Sequence, residues 1–436
     1  MKLNWFSPLP PARTDIAHYT ARILPFLAQH ADVMLWTDQP QWDKKLESFA
    51  RVTSYTPGKI PWKMLNQSDL TMFNIGNNAD FHQSILDVAR VHPGVIILHD
   101  ISLHDFFAGI YICRKNDANG YLSLMKRYYG TDGLESAKAF LNCSMNGHHM
   151  SRHYPLTAAG LDNALGVVVH TLDAFSTLTQ TRQWPTCYAP LPFLPTDRNC
   201  HTPLTREAVS PKDSIRLIIF GYIGPNRCLE LVLKALAEFP GKDKFQLDIY
   251  GELHEKKGIQ KQINLLKLKG QVYIHGYVPE TDLDQALATA DLSINLRYPT
   301  MGEASGSQLR IWNHSLPCLV TRTGWYASLP REAVSFVNPG NEIEDIHACL
   351  NALVNNPDKF TAMGKNGRNL LETHHHPKAY VSALMDFLPK AQAYTTTAEA
   401  FNLSTRLAQE SLLSLLSNEY PSTLKNMASH IHELLI

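Results

Sequence analysis

One stretch of the chain decides the fold: Asn295-Leu-Arg-Tyr-Pro-Thr-Met-Gly-Glu-Ala-Ser-Gly-Ser-Gln-Leu-Arg-Ile-Trp312. It follows a short apolar run, Ala290-Asp-Leu-Ser-Ile-Asn295, whose alternation predicts a buried strand. Proline and glycine residues then interrupt the pattern, and from Gln308 it becomes helical until Ser315-Leu-Pro317 ends it. The order strand, glycine-bearing loop, helix predicts one repeat of an α/β unit.

The same stretch places chemistry at the predicted helix start. A helix N-terminus offers unpaired backbone N–H groups and a positive dipole end, which suit an anion such as a pyrophosphate. Ser305, Gly306 and Ser307 lie where those donors would be, and Glu303 precedes them at a distance that suits bonds to sugar hydroxyls. The alternative is an ordinary helix cap by Ser305 or Ser307, with Glu303 in solvent.

The totals restrict the class of protein. The 436 residues suffice for two domains of ordinary size, and 40 basic against 40 acidic residues argue against a nucleic-acid binder, which should carry a basic excess. No apolar run approaches the roughly 18–20 residues that span a bilayer. Seven scattered cysteines without a C-x-x-C pair favour reduced thiols in a cytoplasmic protein. We therefore expect a cytoplasmic α/β protein.

The N-terminal half repeats strand–helix patterns, and one strongly apolar strand stops at His99-Asp100. In open α/β sheets the carboxyl ends of strands line the ligand crevice, so this pair is a candidate for acid–base or hydroxyl-positioning work. The alternative is a histidine bonded to a neighbouring carbonyl. A polar, largely helical insertion is predicted at 103–163, and its histidines lack the carboxylate or cysteine company of a metal site.

The C-terminal half begins after a polar, proline-bearing linker. Arg227 lies between a strand ending at Gly221 and a helix predicted from Leu229, where its guanidinium could fork onto a phosphate or lie as a surface charge. Asp282-Leu-Asp284 matches a metal-binding D-x-D pattern, but helix-capping carboxylates explain it better. The predicted domains are 1–192, a linker 193–213, 214–380, and a helical tail 381–436 that packs back on the first domain or pairs with a partner.

Several segments resemble family 4 of the retaining glycosyltransferases, in a bacterial branch. The resemblance covers about residues 1–385 and rests on these segments: Ser7–Pro11, Ile16–Tyr19, Gly76–Asn78, Leu98–His104, Phe220–Arg227, Tyr250–Glu252, His275–Val278, Gly302–Ser307, Leu316–Val320, Gly324-Trp325 and Leu329-Pro330. It implies the GT-B architecture, two Rossmann-like domains, here with a helical C-terminal tail.

The resemblance also implies roles for individual residues. The donor diphosphate would lie against Arg227 and the backbone at 305–307, Glu303 would hold the donor sugar, and His99 would face the reacting sugar. The predicted site residues are, as catalytic, Glu303, His99 and Arg227; as donor-binding, Gly221, Asn226, Gly276, Tyr277, Ser305, Gly306, Ser307 and, as a second cation just upstream of the motif, Arg297; and on the acceptor side, Thr14, Asp15 and Asp100. The family binds no metal or cofactor, and backbone dipoles with a basic side chain stabilise the leaving diphosphate.

The chain departs from the family's pattern in three respects. The second acid of its E-x7-E motif falls at 311, which is Ile. Tyr222 follows Gly221 where an arginine is common, and Arg227 replaces a lysine. Asp15 stands where the N-terminal loop has glycine, and its charge would repel a diphosphate.

The leading hypothesis is a retaining glycosyltransferase of bacterial surface polysaccharide or glycoconjugate assembly. It would use a nucleotide sugar and a glycan, lipid-linked or protein acceptor. The alternative is a non-catalytic GT-B partner or scaffold protein that docks through its tail. Peripheral contact with the inner membrane, and a homo-oligomer formed through the C-terminal helices, stay open.

Overall fold

The chain folds into two α/β units. The computed structural model describes residues 1–181, 183–195 and 214–398. One unit combines Met1–Ala189 with the chain from Val381, and the other is Pro190–Tyr380. Most of the predicted linker, 196–213, and the tail from 399 onward lie outside the described residues.

Each unit is built on one parallel sheet. The first sheet has the order β3-β2-β1-β4-β5-β6-β7 and the second β10-β9-β8-β11-β12-β13. The strands are β1 (Lys2–Phe6), β2 (Asp32–Thr37), β3 (Arg51–Ser54), β4 (Leu70–Ile75), β5 (Gly94–Leu98), β6 (Ala164–Val169), β7 (Thr186–Tyr188), β8 (Ile215–Phe220), β9 (Phe245–Tyr250), β10 (Val272–Gly276), β11 (Leu292–Asn295), β12 (Cys318–Thr321) and β13 (Ser335–Val337).

Helices connect the parallel strands, as such sheets require. They are α1 (Asp15–Leu27), α2 (Trp62–Leu65), α3 (Ala79–Ala89), α4 (His104–Ala108), α5 (Ala118–Leu141), α6 (Gly147–His153), α7 (Leu172–Thr181), α8 (Leu229–Glu238), α9 (Lys256–Leu265), α10 (Glu280–Thr289), α11 (Gly306–Asn313), α12 (Gly324–Ala327), α13 (Glu342–Asn355), α14 (Pro357–His374) and α15 (Pro377–Ala393). Within the described residues, no helix has the length and apolar character needed to cross a membrane.

Strand β5 shows why the central strands form where the sequence predicts them. All five of its residues, Gly-Val-Ile-Ile-Leu, are buried, because helices cover both faces of a parallel sheet. The edge strands β3 and β13 have only four and three residues, and most of these are not fully buried. That weaker signal is why they were not predicted.

The helical insertion after β5 is less polar than predicted. Its helices turn large side chains into the core of the first unit, among them Phe106 and Phe107 from α4, Tyr121 from α5 and Met150 from α6, all fully buried. The prediction of a polar insertion was wrong because it relied on overall composition. The many charged residues of these helices lower the average hydrophobicity, although each helix also has an apolar face. The insertion is thus part of the first unit's core.

The last described helix packs on the first sheet. A Cβ built at Gly166 of β6 would lie 2.7 Å from the ring of Phe387 and 3.1 Å from Ala391, both on α15. The hydroxyl of Tyr394 donates to the carbonyl of Gln183 at 2.6 Å. Close contact of a glycine with an aromatic ring lets α15 approach β6 directly.

Three buried histidines make stability depend on acid pH. Burial lowers the pKa of His82, His170 and His375 from 6.5 to about 4. Each is therefore neutral when folded at neutral pH, and the unfolded chain binds more protons between pH 6.5 and about 4. We expect stability to fall as pH drops through this window, by as much as about 3 kcal/mol per histidine, and to vary little from these groups above it.

Urea unfolding at pH 7.5 and pH 5.0 measures this effect. His82→Gln, which removes one of the three groups, should shrink the difference between the two midpoints relative to the unmodified protein. Equal midpoints at both pH values would contradict the assignment of neutral histidines.

Candidate active site

Glycines lie at the carboxyl ends of three of the six strands of the second sheet. Gly221 and Gly251 directly follow β8 and β9, and Gly276 is the last residue of β10; their φ angles are 105°, 117° and 73°. A Cβ at Gly251 would lie 2.0 Å from the carbonyl oxygen of Gly221, so the two backbones touch where no other residue fits. This edge therefore presents bare backbone, as a phosphate site requires.

Two predicted donor-binding residues converge above the end of β8. A Cβ built at Gly221 would lie 3.9 Å from Nη2 of Arg227 and 3.9 Å from Oγ of Ser307. A backbone hydrogen bond joins the loop that carries Asn226 to the loop that follows β11: the carbonyl of Asn226 accepts the N–H of Tyr298 at 2.8 Å. Residues separated by more than 80 positions thus share one small region.

Arg227 is buried, so the surface-charge alternative for it was wrong. It ends a 3₁₀ turn, Pro225–Arg227, before the start of α8, and only 3% of its surface is exposed. Its Nη1 donates to Oδ1 of Asn295 at 2.9 Å, and its Nη2 donates to the carbonyl of Phe220 at 2.7 Å. The guanidinium is thus not a surface charge: it is buried, and two of its N–H groups donate to oxygens of the protein.

A buried amide pair extends this contact to α11. Nδ2 of Asn295 donates to Oε1 of Gln308 at 3.0 Å, and both side chains are buried. Gln308 in turn donates its backbone N–H to Oγ of Ser305. Sequence reasoning did not single out Asn295 and Gln308 as site residues, although a polar residue that ends a buried strand could have indicated the first.

The helix α11 begins two residues earlier than predicted. Its first residue is Gly306 and its cap is Ser305, whose hydroxyl accepts the N–H of Gln308 at 3.0 Å. The hydroxyl of Ser305 is therefore used as a cap, as the ordinary-cap alternative proposed. The first backbone N–H groups of the helix, at Gly306 and Ser307, are those that a helix cannot satisfy internally.

Glu303 is held within its own loop and not in solvent. Its Oε2 accepts Oγ1–H of Thr300 at 2.9 Å and the N–H of Met301 at 2.7 Å. Its Oε1 lies 3.0 Å from Nη1 of Arg297 as an ion pair, yet within the described residues it accepts no hydrogen bond. The side chains of Glu303 and Arg297 are 13% and 23% exposed. Arg297, predicted as a donor-binding cation, is therefore already neutralised by Glu303.

The neighbouring strand end carries aromatic side chains. Tyr277 follows Gly276 and is 59% exposed. Next to it, the rings of Tyr250 and His275 stack with centroids 4.3 Å apart, and Nε2 of His275 lies 2.7 Å from a carboxylate oxygen of Asp248. Aromatic rings on which a planar base could stack therefore lie close in sequence to Gly251 and Gly276.

In the first unit, His99 and Asp100 have separate partners. Nε2 of His99 lies 3.0 Å from Oδ1 of Asn74, while Asp100 accepts the N–H of Asn77 at 2.8 Å. Burial holds the pKa of His99 well below 6.5, and the nearby His170 and His82 lower it further. The two side chains thus have different hydrogen-bond partners, and the lowered pKa of His99 favours the hydroxyl-positioning alternative over proton donation.

Thr14 and Asp15 form the start of α1. Thr14 caps the helix by accepting the N–H of Ile16 at 3.4 Å, and Asp15 is an exposed residue of the first turn. A carboxylate there stabilises the positive end of the helix dipole. Local helix chemistry thus explains both residues.

The departures from the family's pattern have structural counterparts. Ile311 is fully buried in the apolar core of the second unit, and Tyr222 is exposed. The D-x-D carboxylates do not cap α10, whose cap is Pro279; instead Asp284 lies 2.8 Å from Arg310 and 3.0 Å from His314. No group of three or more metal-ligand side chains occurs among the residues that the structure describes.

The predicted site residues thus form two groups, one in each unit. In the second unit, Gly221, Arg227 and Ser307 lie together, with Glu303 on the loop before α11. Comparison with family models adds a match of residues 203–370 to "Glycosyl transferases group 1". Over these residues the second unit is similar to the glycosyltransferases of that family. A search of curated proteins finds no match.

Solved structures extend this likeness from the second unit to the whole fold. Sucrose-phosphate synthase from Thermosynechococcus elongatus matches with a TM-score of 0.62 at 14% identity, over 90% of this chain and 99% of that one. HepE from Anabaena, in complex with UDP and glucose, matches at 0.59 and 14%, over 89% and 99%. WaaG, a glycosyltransferase involved in lipopolysaccharide biosynthesis, matches at 0.53 and 13%, over 88% and 99%. The GT-B fold with a helical C-terminal region is thereby confirmed.

Proposed function

We propose that the protein transfers a sugar from a nucleotide-diphosphate donor to a glycan, lipid-linked or protein acceptor, with retention and without a metal. We assign it to the assembly of bacterial surface polysaccharide or glycoconjugates, in the cytoplasm and with peripheral contact to the inner membrane. Six described cysteines are free thiols, which suits a reducing compartment.

One observation carries the proposal: the convergence of Gly221, Arg227 and Ser307 at the start of α11. A diphosphate placed against this backbone would meet the N–H groups of Gly306 and Ser307 and the positive end of the helix dipole. The guanidinium of Arg227 would act through its field from beneath Gly221 and not by direct contact. In a buried setting such a field is weakly screened, so it would stabilise the charge that develops on the leaving diphosphate.

Glu303 would bind the sugar of the donor. Its Oε2 is committed to the loop, whereas Oε1 has an ion pair but no hydrogen bond among the described residues. Oε1 is therefore the oxygen to which we assign a sugar hydroxyl; because this atom is enclosed in the structure, the groups around it would have to move when the sugar binds. Arg297 would keep the carboxylate of Glu303 ionised and oriented. Its role would thus be to position Glu303, and not to bind the donor as a second cation.

The first unit would supply His99 for a hydroxyl of the reacting sugar, with Thr14, Asp15 and Asp100 on the acceptor side. Related structures support a nucleotide-sugar partner: HepE was solved in complex with UDP and glucose, and WaaG is a glycosyltransferase involved in lipopolysaccharide biosynthesis. The donor base would stack beside Gly276 on Tyr277.

A nucleotide-sugar panel tests the proposal. Purified full-length protein is incubated with each donor, with and without lipid-linked and glycan acceptors, and release of nucleoside diphosphate is measured. We expect one donor to give acceptor-dependent release that survives excess EDTA, and NMR of the product to show the anomeric configuration of the donor. Inversion would overturn retention, and loss of activity in EDTA would overturn metal independence.

The same panel of nucleotide sugars distinguishes an enzyme from the non-catalytic scaffold alternative. Calorimetric titration with each nucleotide sugar should show binding of the active donor. Absence of any binding and any release would favour a non-catalytic GT-B partner. Sedimentation of the full chain, and of a chain ending after Ala398, would show whether the tail forms a homo-oligomer.

A further inference from the structure

Asn74 controls the hydrogen bonding of His99. Asn74 lies in β4 and is fully buried. Its Nδ2 donates to the carbonyl oxygen of Phe6 at 2.9 Å, which fixes the amide so that Oδ1 faces His99. Because Oδ1 can only accept, the contact of 3.0 Å to Nε2 of His99 requires a proton on Nε2.

We propose that Asn74 is a positioning residue that holds His99 as its Nε2–H tautomer, so that Nδ1 accepts a hydroxyl hydrogen from the bound sugar. This rests on the role of His99 in the proposed function. A neutral imidazole carries one proton, so the proton that Asn74 holds on Nε2 leaves Nδ1 with a lone pair. Within the described residues, no hydrogen bond occupies Nδ1.

The surroundings of His99 keep the ring neutral. The ring centroid of His170 lies 4.9 Å away and that of Tyr19 lies 5.0 Å away, edge-on. His82 approaches from α3, where its Nδ1 lies 3.0 Å from the backbone carbonyl of Asn74. The nearby carboxylate of Asp100 is held by the N–H of Asn77. Burial and two neighbouring histidines lower the pKa of His99, so an imidazolium is disfavoured at neutral pH.

Asn74 therefore makes hydrogen bonds to two histidines, His99 and His82. The side chain of Asn74 sets the tautomer of His99, and its backbone carbonyl accepts from His82. A polar residue inside a buried strand is costly unless its hydrogen bonds are made, and here its donor and acceptor both have partners. The position is thus suited to orientation and not merely to packing.

The first experiment is independent of activity. ¹⁵N NMR of the histidine-labelled full chain, with His99 assigned by its loss in His99→Gln, should show a pyrrole-like Nε2 and a pyridine-like Nδ1 at pH 7.5. An unprotonated Nε2 would overturn the proposal, even if no variant could be purified.

Asn74→Asp provides the second experiment. A carboxylate at this place favours the imidazolium, so His99 should stay protonated to a higher pH, and Nδ1 should then carry a proton. We expect kcat/KM for the active donor to fall at least about tenfold at pH 7, with partial recovery at higher pH. Asn78→Asp is the matched control, because Asn78 is exposed and caps α3, a role that aspartate also performs.

The outcomes separate the two proposals. A raised His99 titration with pH-dependent transfer supports the positioning role. Unchanged titration in Asn74→Asp, or unchanged transfer despite a raised titration, overturns it. If the unmodified protein shows the Nε2–H tautomer but transfers no sugar in the panel, the proposed function fails while the tautomer assignment stands.

Discussion

Glu303→Gln is expected to lower the rate of sugar transfer at least about tenfold, which is about 1.4 kcal/mol of barrier. The amide oxygen can replace Oε2 toward Thr300 and Met301, but the NH₂ group would then face the guanidinium of Arg297 at the position of Oε1. Two donors would oppose each other, and the acceptor proposed for the sugar hydroxyl would be lost. The measurement is the initial rate of diphosphate release with the active donor.

Glu280→Gln serves as the control for Glu303→Gln. Glu280 is also paired with an arginine, Arg310, and lies in the same unit, but its side chain is 54% exposed. Surface pairs contribute little, so transfer should stay within about twofold of the unmodified protein. A Glu303→Gln protein that is folded and equally active would remove Glu303 from the site.

Gly251→Ala is expected to cost about 3 kcal/mol or more of stability. Its Cβ would lie 2.0 Å from the carbonyl oxygen of Gly221, so the ends of β8 and β9 must separate, and the φ of 117° adds strain for any side chain. Because Gly221 forms part of the proposed diphosphate site, donor affinity should fall as well. Urea unfolding measures the first effect and calorimetric titration the second.

Gly276→Ala is the matched comparison. Gly276 has a φ of 73°, but no atom lies within 4 Å of its would-be Cβ. The substitution should therefore cost only the strain of left-handed backbone, roughly 1–2 kcal/mol. Equal unfolding midpoints for the two alanine variants would contradict the close contact between Gly221 and Gly251.

The sequence predicted the frame of the fold because its central strands are buried on both faces. Runs such as those of β5 and β8 are apolar for that reason, and glycines or prolines mark their ends. Short edge strands carry no such signal. The insertion was misjudged because its charged surface residues hide the aromatic side chains that it contributes to the core.

The site was harder to predict, since its geometry depends on distant partners. Arg227 was singled out by position, but its burial depends on Asn295, which lies 68 residues later. Arg297 was expected to bind the donor, yet the nearest anion is its own loop's Glu303. Spacing along the chain shows which residues enter a loop, but not which of them neutralise one another.

The division of the chain has a consequence for how the protein can be dissected. The second unit is one uninterrupted segment, Pro190–Tyr380, whereas the first needs the polypeptide on both sides of it. A stop codon placed after Tyr380 would delete Phe387 and Ala391, the side chains that cover Gly166 of β6. The bared apolar surface would promote aggregation during expression. The second unit can be expressed from one continuous stretch of coding sequence. The first unit can be expressed alone only if its two separate segments are joined by a new linker.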